Sequence, residues 1–324
     1  MRTYQMTDEE RKFLNTYDIT SFDRPSLTAD MAVFAILTEN ETEEYRKDPA
    51  QKLGILLVRR EGFPYKGSWA LPGGFAKNGE SIDETALREL REETGVDSAY
   101  LSSFGMFSTP ARDPRGWIVS EGFLALVDQR KCRLRAGSDA WEAAWFTVDI
   151  RREELKKHVL ANSAEIITKY VLTLSRKPAA DAQDPEIIEQ KGNEAENRIP
   201  DSVITAAVEE TRTFSNHHET AIYTIIDSDG LAFDHAEIIV RAFQALREKT
   251  RTDTIVFDLM PEKFTLYSLQ AAYEIILGES LTTPNFRRKI APYVVETDEM
   301  TGGAGHRPAK LFKRNLDTFY RDTK

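Results

Sequence analysis

The stretch GGFAKNGESIDETALRELREETGV, Gly73 to Val96, constrains the chain more than any other. Ser81 with Glu84 three residues on makes a capping-box pattern, so a helix is expected from about Ile82. Gly95 fits the position just past the helix end, where a left-handed residue closes the last turn. Ile82, Ala86, Leu87 and Leu90 recur at helical spacing and should face a core. At roughly 100° per residue, Glu89, Glu92 and Glu93 fall on one arc beside that stripe. Three carboxylates this close repel one another, and the local counter-charge comes only from Arg88 and Arg91. A divalent cation would cancel the repulsion, and hard oxygen ligands suit Mg²⁺ or Mn²⁺. An isolated Glu-Glu pair is more often a solvated helix face, so the wider spacing has to decide.

Gly74 is followed after five residues by Glu80, then after seven by Arg88-Glu89-Leu90. Glu92-Glu93 follow after one residue and Gly95-Val96 after one more. At every fixed position this resembles the signature of the Nudix hydrolase family, a pattern far more specific than a lone glycine-rich loop. The resemblance implies an α/β fold, the Nudix α/β/α sandwich. It also implies metal-assisted hydrolysis of a pyrophosphate that links a nucleoside to another group, with Mg²⁺ or Mn²⁺ neutralising the diphosphate and helping to form hydroxide. Carried over residue by residue, Glu92 and Glu93 are metal ligands, and Glu89 is a ligand or the base that orients water. Arg88 holds the glutamates by ion pairing and Glu80 supports the loop. Gly73 and Gly74 let the backbone pass close to metal and phosphates. Glu121, on a later strand, is a further candidate ligand.

The 324 residues suffice for two domains, and 41% hydrophobic residues provide a core. A single cysteine, Cys132, excludes an internal disulfide framework. No apolar run reaches about 18 residues, so no transmembrane helix or membrane partner is expected. The polar start MRTYQMTDEERKF lacks the apolar segment of a signal peptide, and a cytoplasmic location is expected. Net charge is −10, which argues against a broad nucleic-acid surface. Residues 281–324 depart from this balance, with nine Lys/Arg against five Asp/Glu.

Along the chain, DEERKFLNTY reads as an N-terminal helix, and Ala29–Leu37 and Leu53–Arg60 read as strands. Further strands are expected over Ala99–Ser108, Ile118–Val127 and Ala143–Val148. Leu155–Leu174 is read as a helix. The turn-rich loop TPARDPRG, Thr109 to Gly116, with the strand after it, resembles ADP-ribose-type Nudix proteins, which implies phosphate or ribose contacts from Arg112 and Arg115. Ser175–Asn197 has the composition of a flexible segment, and Ser202–Ile226 alternates well enough for two strands turning at Ser215-Asn216. The expected division is a Nudix domain over 1–175, a flexible segment with added strands over 176–228, and a winged-helix domain over 229–324.

In that last part, Phe233–Glu248 and Leu266–Leu277 carry apolar residues at helical spacing. Thr283-Pro284 should open a third helix, with Thr at the N-cap and Pro at the first helical position. Phe286 and Ile290 point one way there, Asn285 and Arg288 the other, with Arg287 and Lys289 on the flanks. Tyr293–Thr297, the tip TGGAG and Arg307–Lys313 read as a β-ribbon. Helix, turn, basic helix and ribbon make a winged helix-turn-helix pattern, in which the basic helix enters the major groove and the ribbon touches phosphates. The order of LAFDHAEII, LMPEKFTL, NFRRKI and GAGHRPAKLF after the signature resembles the Nudix-related transcriptional regulators of NAD metabolism. The resemblance implies an ADP-ribose-type ligand, an operator DNA partner and a homodimer. It implies DNA contacts from Asn285, Arg287, Arg288, Lys289, His306, Arg307 and Lys310. His235 is read as a packing or interface histidine. The leading expectation is a Mg²⁺-dependent pyrophosphohydrolase acting on ADP-ribose or a related compound, fused to a DNA-binding-type winged helix. The alternative is a regulator that responds to ADP-ribose without hydrolysing it.

Overall fold

The computed structural model describes residues 6–38, 51–96, 99–134, 140–160, 162–176, 203–215, 218–301 and 308–318. Helix α1 (Asp8–Thr16) starts on a Thr7–Glu10 capping box. Ten strands then build one mixed sheet: β1 (Ser26–Thr38), β2 (Gln51–Arg60), β3 (Trp69–Ala70), β4 (Gly73–Phe75), β5 (Tyr100–Phe107), β6 (Ile118–Leu126), β7 (Ala140–Leu160), β8 (Ser163–Ser175), β9 (Val203–Ser215) and β10 (His218–Ser228). Their order is β10-β9-β8-β7-β2-β1-β6-β5, with β3 on β2 and β4 on β1. The β1–β6 pair is parallel and the other pairings are antiparallel.

Strand β1 lies near the middle and is apolar on both faces, as a strand covered on both sides must be. Alternation divides its side chains. Ala29, Met31, Val33 and Ala35 join Ala86 and Leu90 of helix α2 (Ile82–Thr94) in one core. Ala32 and Phe34 face the opposite way, into a core shared with Ala236, Ile239 and Leu246 of helix α3 (His235–Thr252). One helix on each face of the sheet gives the α/β/α sandwich. Phe233–Glu248, read from sequence with the C-terminal unit, thus covers the sheet as α3, and it also packs on the next helix. Its apolar residues occupy more of its circumference than one neighbour needs.

Leu155–Leu174 is not a helix. Strand β7 runs through it to Leu160, and β8 returns antiparallel from Ser163. In β8, Thr168, Tyr170, Leu172 and Leu174 are buried at every second position, and the β-branched Ile166, Ile167, Val171 and Thr173 suit a pleated surface. The two strands expected after residue 202 are present as β9 and β10, in register from Ser215–His218. From 177 on, the segment read as flexible lies outside the described residues.

Beyond α3, a 3₁₀ turn over Ile255–Leu259 leads to α4 (Leu266–Leu277) and α5 (Thr283–Ile290). A two-stranded ribbon of β11 (Val294–Met300) and β12 (Lys310–Arg314) follows. Gly278, at φ 69°, ends α4 in the left-handed conformation. Thr282, one residue before the expected position, is the N-cap of α5, and Pro284 stands in its first turn. Phe286 and Ile290 are buried, with the Phe286 ring 5.6 Å from Tyr273 of α4. Phe264 pairs with Phe312 and ties the ribbon back to the helices.

Candidate functional site

Helix α2 forms as its sequence dictates. The Ser81–Glu84 capping box is reciprocal, and Gly95 closes the helix at φ 69°. Between them, Arg88 acts as a hub on the site side of the helix. Its Nε and Nη2 donate to the two oxygens of Glu80 at 2.8 and 3.1 Å, its Nη1 donates to Glu89 at 2.5 Å, and its Nη2 also reaches the Phe75 carbonyl. Glu92 lies 3.7 Å from the same guanidinium. The bonds from Arg88, above all, hold the Glu80 carboxyl down at about 2, so it stays ionised and fixes the loop over 76–81.

Glu93 differs from its neighbours. It is 6% exposed, and its Oε2 has no hydrogen-bond partner. Burial first, then the nearby Glu89 and Glu92, push its carboxyl up to about 8, against a hydrogen bond from the Gly73 backbone that acts the other way. A buried, unpartnered carboxylate oxygen beside two more carboxylates is what a hard cation would satisfy, so the donor set fits Mg²⁺ or Mn²⁺. The set is not a closed cage. Among the described residues no group of three His, Cys, Asp or Glu is arranged to hold a metal, and one Glu89 oxygen is held by Arg88.

Gly73 and Gly74 pair with Asp30 and Ala29 of β1. A Cβ on Gly73 would overlap the Ala29 carbonyl, and one on Gly74 would overlap the Glu89 carboxylate. Glycine at both positions is therefore needed for the strand to lie against the glutamates. Together these groups line one side of a cavity of about 360 Å³.

The opposite wall comes from distant parts of the chain. Arg112, its side chain 5% exposed, donates two 2.7 Å bonds to Asp234 at the start of α3 and a 3.2 Å bond to Asp30 of β1. Asp30 also accepts from Ser120 at 2.6 Å. The Leu71 N–H donates to His235 Nδ1 at 2.8 Å, which places the proton of a neutral imidazole on Nε2. Burial lowers the His235 pKa and keeps it neutral. Arg115 is half-exposed; it is bonded to Asp113 and lies over the rings of Phe75 and Phe233 at 5.1 and 5.4 Å.

The cavity thus gathers Gly73, Gly74, Arg88, Glu89, Glu92, Glu93, Arg112 and Arg115, all read as site residues from the sequence. It also contains Asp30, Phe75, Asp113, Phe233 and His235, which were not. Phe233 and His235 lie in the LAFDHAEII segment, which carried the family resemblance but no site reading, and Phe233 takes a left-handed φ of 51°. Asp30 had none, because only the fold brings it to Arg112. Glu121, half-buried on β6, is not among the lining residues.

In the winged-helix part, Asn285, Arg287, Arg288 and Lys289 are all exposed on α5, while Phe286 and Ile290 are buried. Arg288 bonds Asn285 at 3.2 Å. Lys310 on the ribbon is paired with Glu296 across the strands. His306 and Arg307 lie outside the described residues.

Comparison with known proteins places both halves. Residues 30–168 match the NUDIX domain family, and residues 256–313 match the NrtR DNA-binding winged helix domain. The chain carries a Nudix domain followed by a winged helix of NrtR type. Over its length it is 29% identical to the ADPR responsive transcriptional repressor NtrR of Acinetobacter baylyi, covering 96% of this chain and 90% of that one. The ADP-ribose pyrophosphatase of Methanocaldococcus jannaschii is 44% identical over 95 residues, 29% of this chain and 55% of that protein. The structure of Shewanella oneidensis NrtR complexed with a 27mer DNA has the same fold, with TM-score 0.53 and 22% identity over 90% of this chain and 94% of that one. No helix among the described residues is long and apolar enough to cross a membrane.

Proposed function

We propose that this protein is a DNA-binding transcriptional regulator that takes ADP-ribose, or a related nucleoside diphosphate compound, in its Nudix cavity and retains the machinery to hydrolyse it. The carrying observation is the joining of two intact devices in one chain. The cavity unites the signature glutamates with an opposite wall that carries Arg112 and Arg115, and α5 presents four exposed polar and basic side chains away from its core face. The full-length similarity to an ADPR responsive repressor supports the regulator reading and gives it more weight than the signature alone does. Similarity of the Nudix part to an ADP-ribose pyrophosphatase supports the hydrolytic one.

In the cavity, Glu92 and Glu93, with Glu89, would hold Mg²⁺ or Mn²⁺. Such an ion neutralises a diphosphate and lowers the pKa of bound water. Arg88 fixes the Glu89 carboxylate through a 2.5 Å bond and so sets where a proton can be accepted. Gly73 and Gly74 let β4 lie directly against β1 and the Glu89 carboxylate at the edge of the cavity. Arg115 presents a half-exposed guanidinium between two aromatic rings, suited to phosphate or ribose. Arg112 has its donors engaged by Asp30 and Asp234, and its part is to shape the wall. Asn285, Arg287, Arg288 and Lys289 would meet DNA from α5, with Lys310 of the ribbon, and His306 and Arg307 just before it in the sequence, on the phosphates. A homodimer would match a two-fold operator, and such a regulator would work in the cytoplasm.

The test follows release of AMP and ribose 5-phosphate from ADP-ribose with Mg²⁺, in wild type and Glu93→Gln, beside binding of the ligand itself. Turnover that disappears in Glu93→Gln supports an enzyme using this helix. Binding without turnover leaves a sensor. Failure to bind ADP-ribose at all would overturn the reading of the cavity.

A further inference from the structure

The inner face of the sheet changes character away from its centre. Close to β2 it is apolar, and Leu172, Leu174, Ile204, Ala206 and Val208 pack under α3. Farther out the same face turns polar. Cross-strand pairing sets Arg152 opposite Tyr170, Thr168 opposite Glu210 and Ile166 opposite Arg212. The C-terminal half of α3 passes over this region and contributes Phe243, Arg247 and Arg251. Between sheet and helix lies a cavity of about 390 Å³, separate from the Nudix cavity.

Four arginines from three elements line it: Arg152 of β7, Arg212 of β9, and Arg247 and Arg251 of α3. The carboxylate on its wall, Glu210, is already engaged. It accepts from Arg212 at 2.6 Å and from the hydroxyls of Tyr170 and Tyr223 at 3.0 and 2.9 Å. Arg152 and Arg251 have no ion-pair partner among the described residues. Arg247 donates from Nη2 to the Leu277 carbonyl at the end of α4, while its Nε is buried with no partner. Burial and the nearby Arg251 and Arg152 all disfavour its charge, with Glu279 the opposing acid. Basic side chains near a helix C-terminus complement its dipole. That explains Arg251 but not Arg152, which reaches the cavity from a strand.

We propose that this cavity is a second anion site, built to take a phosphate-bearing small molecule between β7–β9 and α3. Guanidinium groups converging from separate elements match the oxygens of a phosphate or diphosphate. An anion there screens the repulsion among the arginines and gives Arg152 and Arg251 the counter-charge they lack among the described residues. The rings of Phe214, Phe243 and Tyr170 flank the charges and favour a ligand with a flat or apolar portion beside its phosphate. Because Arg247 also caps α4, the ligand would be one side chain away from the helix that leads into α5.

The test is calorimetric titration of the full chain with inorganic pyrophosphate, in EDTA to disable metal-dependent binding at α2 and at constant ionic strength. Wild type should bind at one site. The double variant Arg152→Ala/Arg251→Ala, whose two side chains are on the surface and whose fold is checked by its melting curve, should bind roughly tenfold more weakly or worse. Arg115→Ala in the Nudix cavity should leave this binding unchanged. No binding by wild type, or equal binding by the double variant, overturns the proposal. Loss of binding in Arg115→Ala alone places the anion in the Nudix cavity and overturns it too.

Discussion

Glu93 is held at a cost to the fold. Its carboxyl lies at about 8 in the folded protein and near 4.5 when exposed, so the native state prefers its proton. The contribution of this group to stability is complete below pH 4.5 and is lost as pH rises toward 8, where the unfolded chain ionises freely and the folded one does not. Glu93→Gln should therefore melt higher than wild type at pH 8 in EDTA and close to it at pH 4.5. Adding Mg²⁺ at pH 8 should raise the wild-type melting temperature more than that of the variant. Thermal melts at the two pH values check both statements, and a difference that is independent of pH would refute them. The residues behind this behaviour were legible in the sequence, because a helix fixes the arc on which Glu89, Glu92 and Glu93 fall. The proton on Glu93 was not, because it depends on how deeply the helix is set against β1 and β4.

At the scale of elements, α5 is the clearest case of two faces with separate tasks. Phe286→Ala removes a buried ring packed on Tyr273 and should destabilise the protein by about 3–5 kcal/mol. Arg288→Ala touches only an exposed side chain and should leave the melting temperature unchanged, while weakening DNA binding and lowering its salt slope by roughly one. Denaturation and binding titrations at several salt concentrations separate the two. The division was readable because eight residues with a 3.6 period admit few arrangements. Strands β7 and β8 were harder. Leu155, Val159 and Leu160 mimic helical spacing, and the alternation that decides for a strand begins only at Thr168. The α2 capping box and its glycine stop had no such competitor.

For the whole molecule, Arg112 is the joint. It binds Asp30 of β1 and Asp234 at the start of α3, so the sheet, the 109–116 loop and the second helix layer share one buried cation. Arg112→Ala would leave the Asp30 and Asp234 carboxylates without their shared counter-charge and should cost about 3–5 kcal/mol. Chemical denaturation measures this, and a loss below about 1 kcal/mol would show that the cluster is not structural. The sequence marked Arg112 as a ligand contact because RDPRG and the strand after it resemble ADP-ribose-type Nudix proteins. Its partners could not be read, being 82 and 122 residues away along the chain.

Those separations also bear on the route by which the chain reaches its final form. The β7–β8 and β9–β10 pairs close over short connections and can form early. The parallel β1–β6 pair joins positions such as Thr28 and Val119, 91 residues apart, and must wait for a large loop to close. The Nudix cavity has walls on both sides of that late joint, so it exists only once the sheet is complete. An intermediate with its hairpins zipped would lack this cavity, whose walls come together only when β1 and β6 pair.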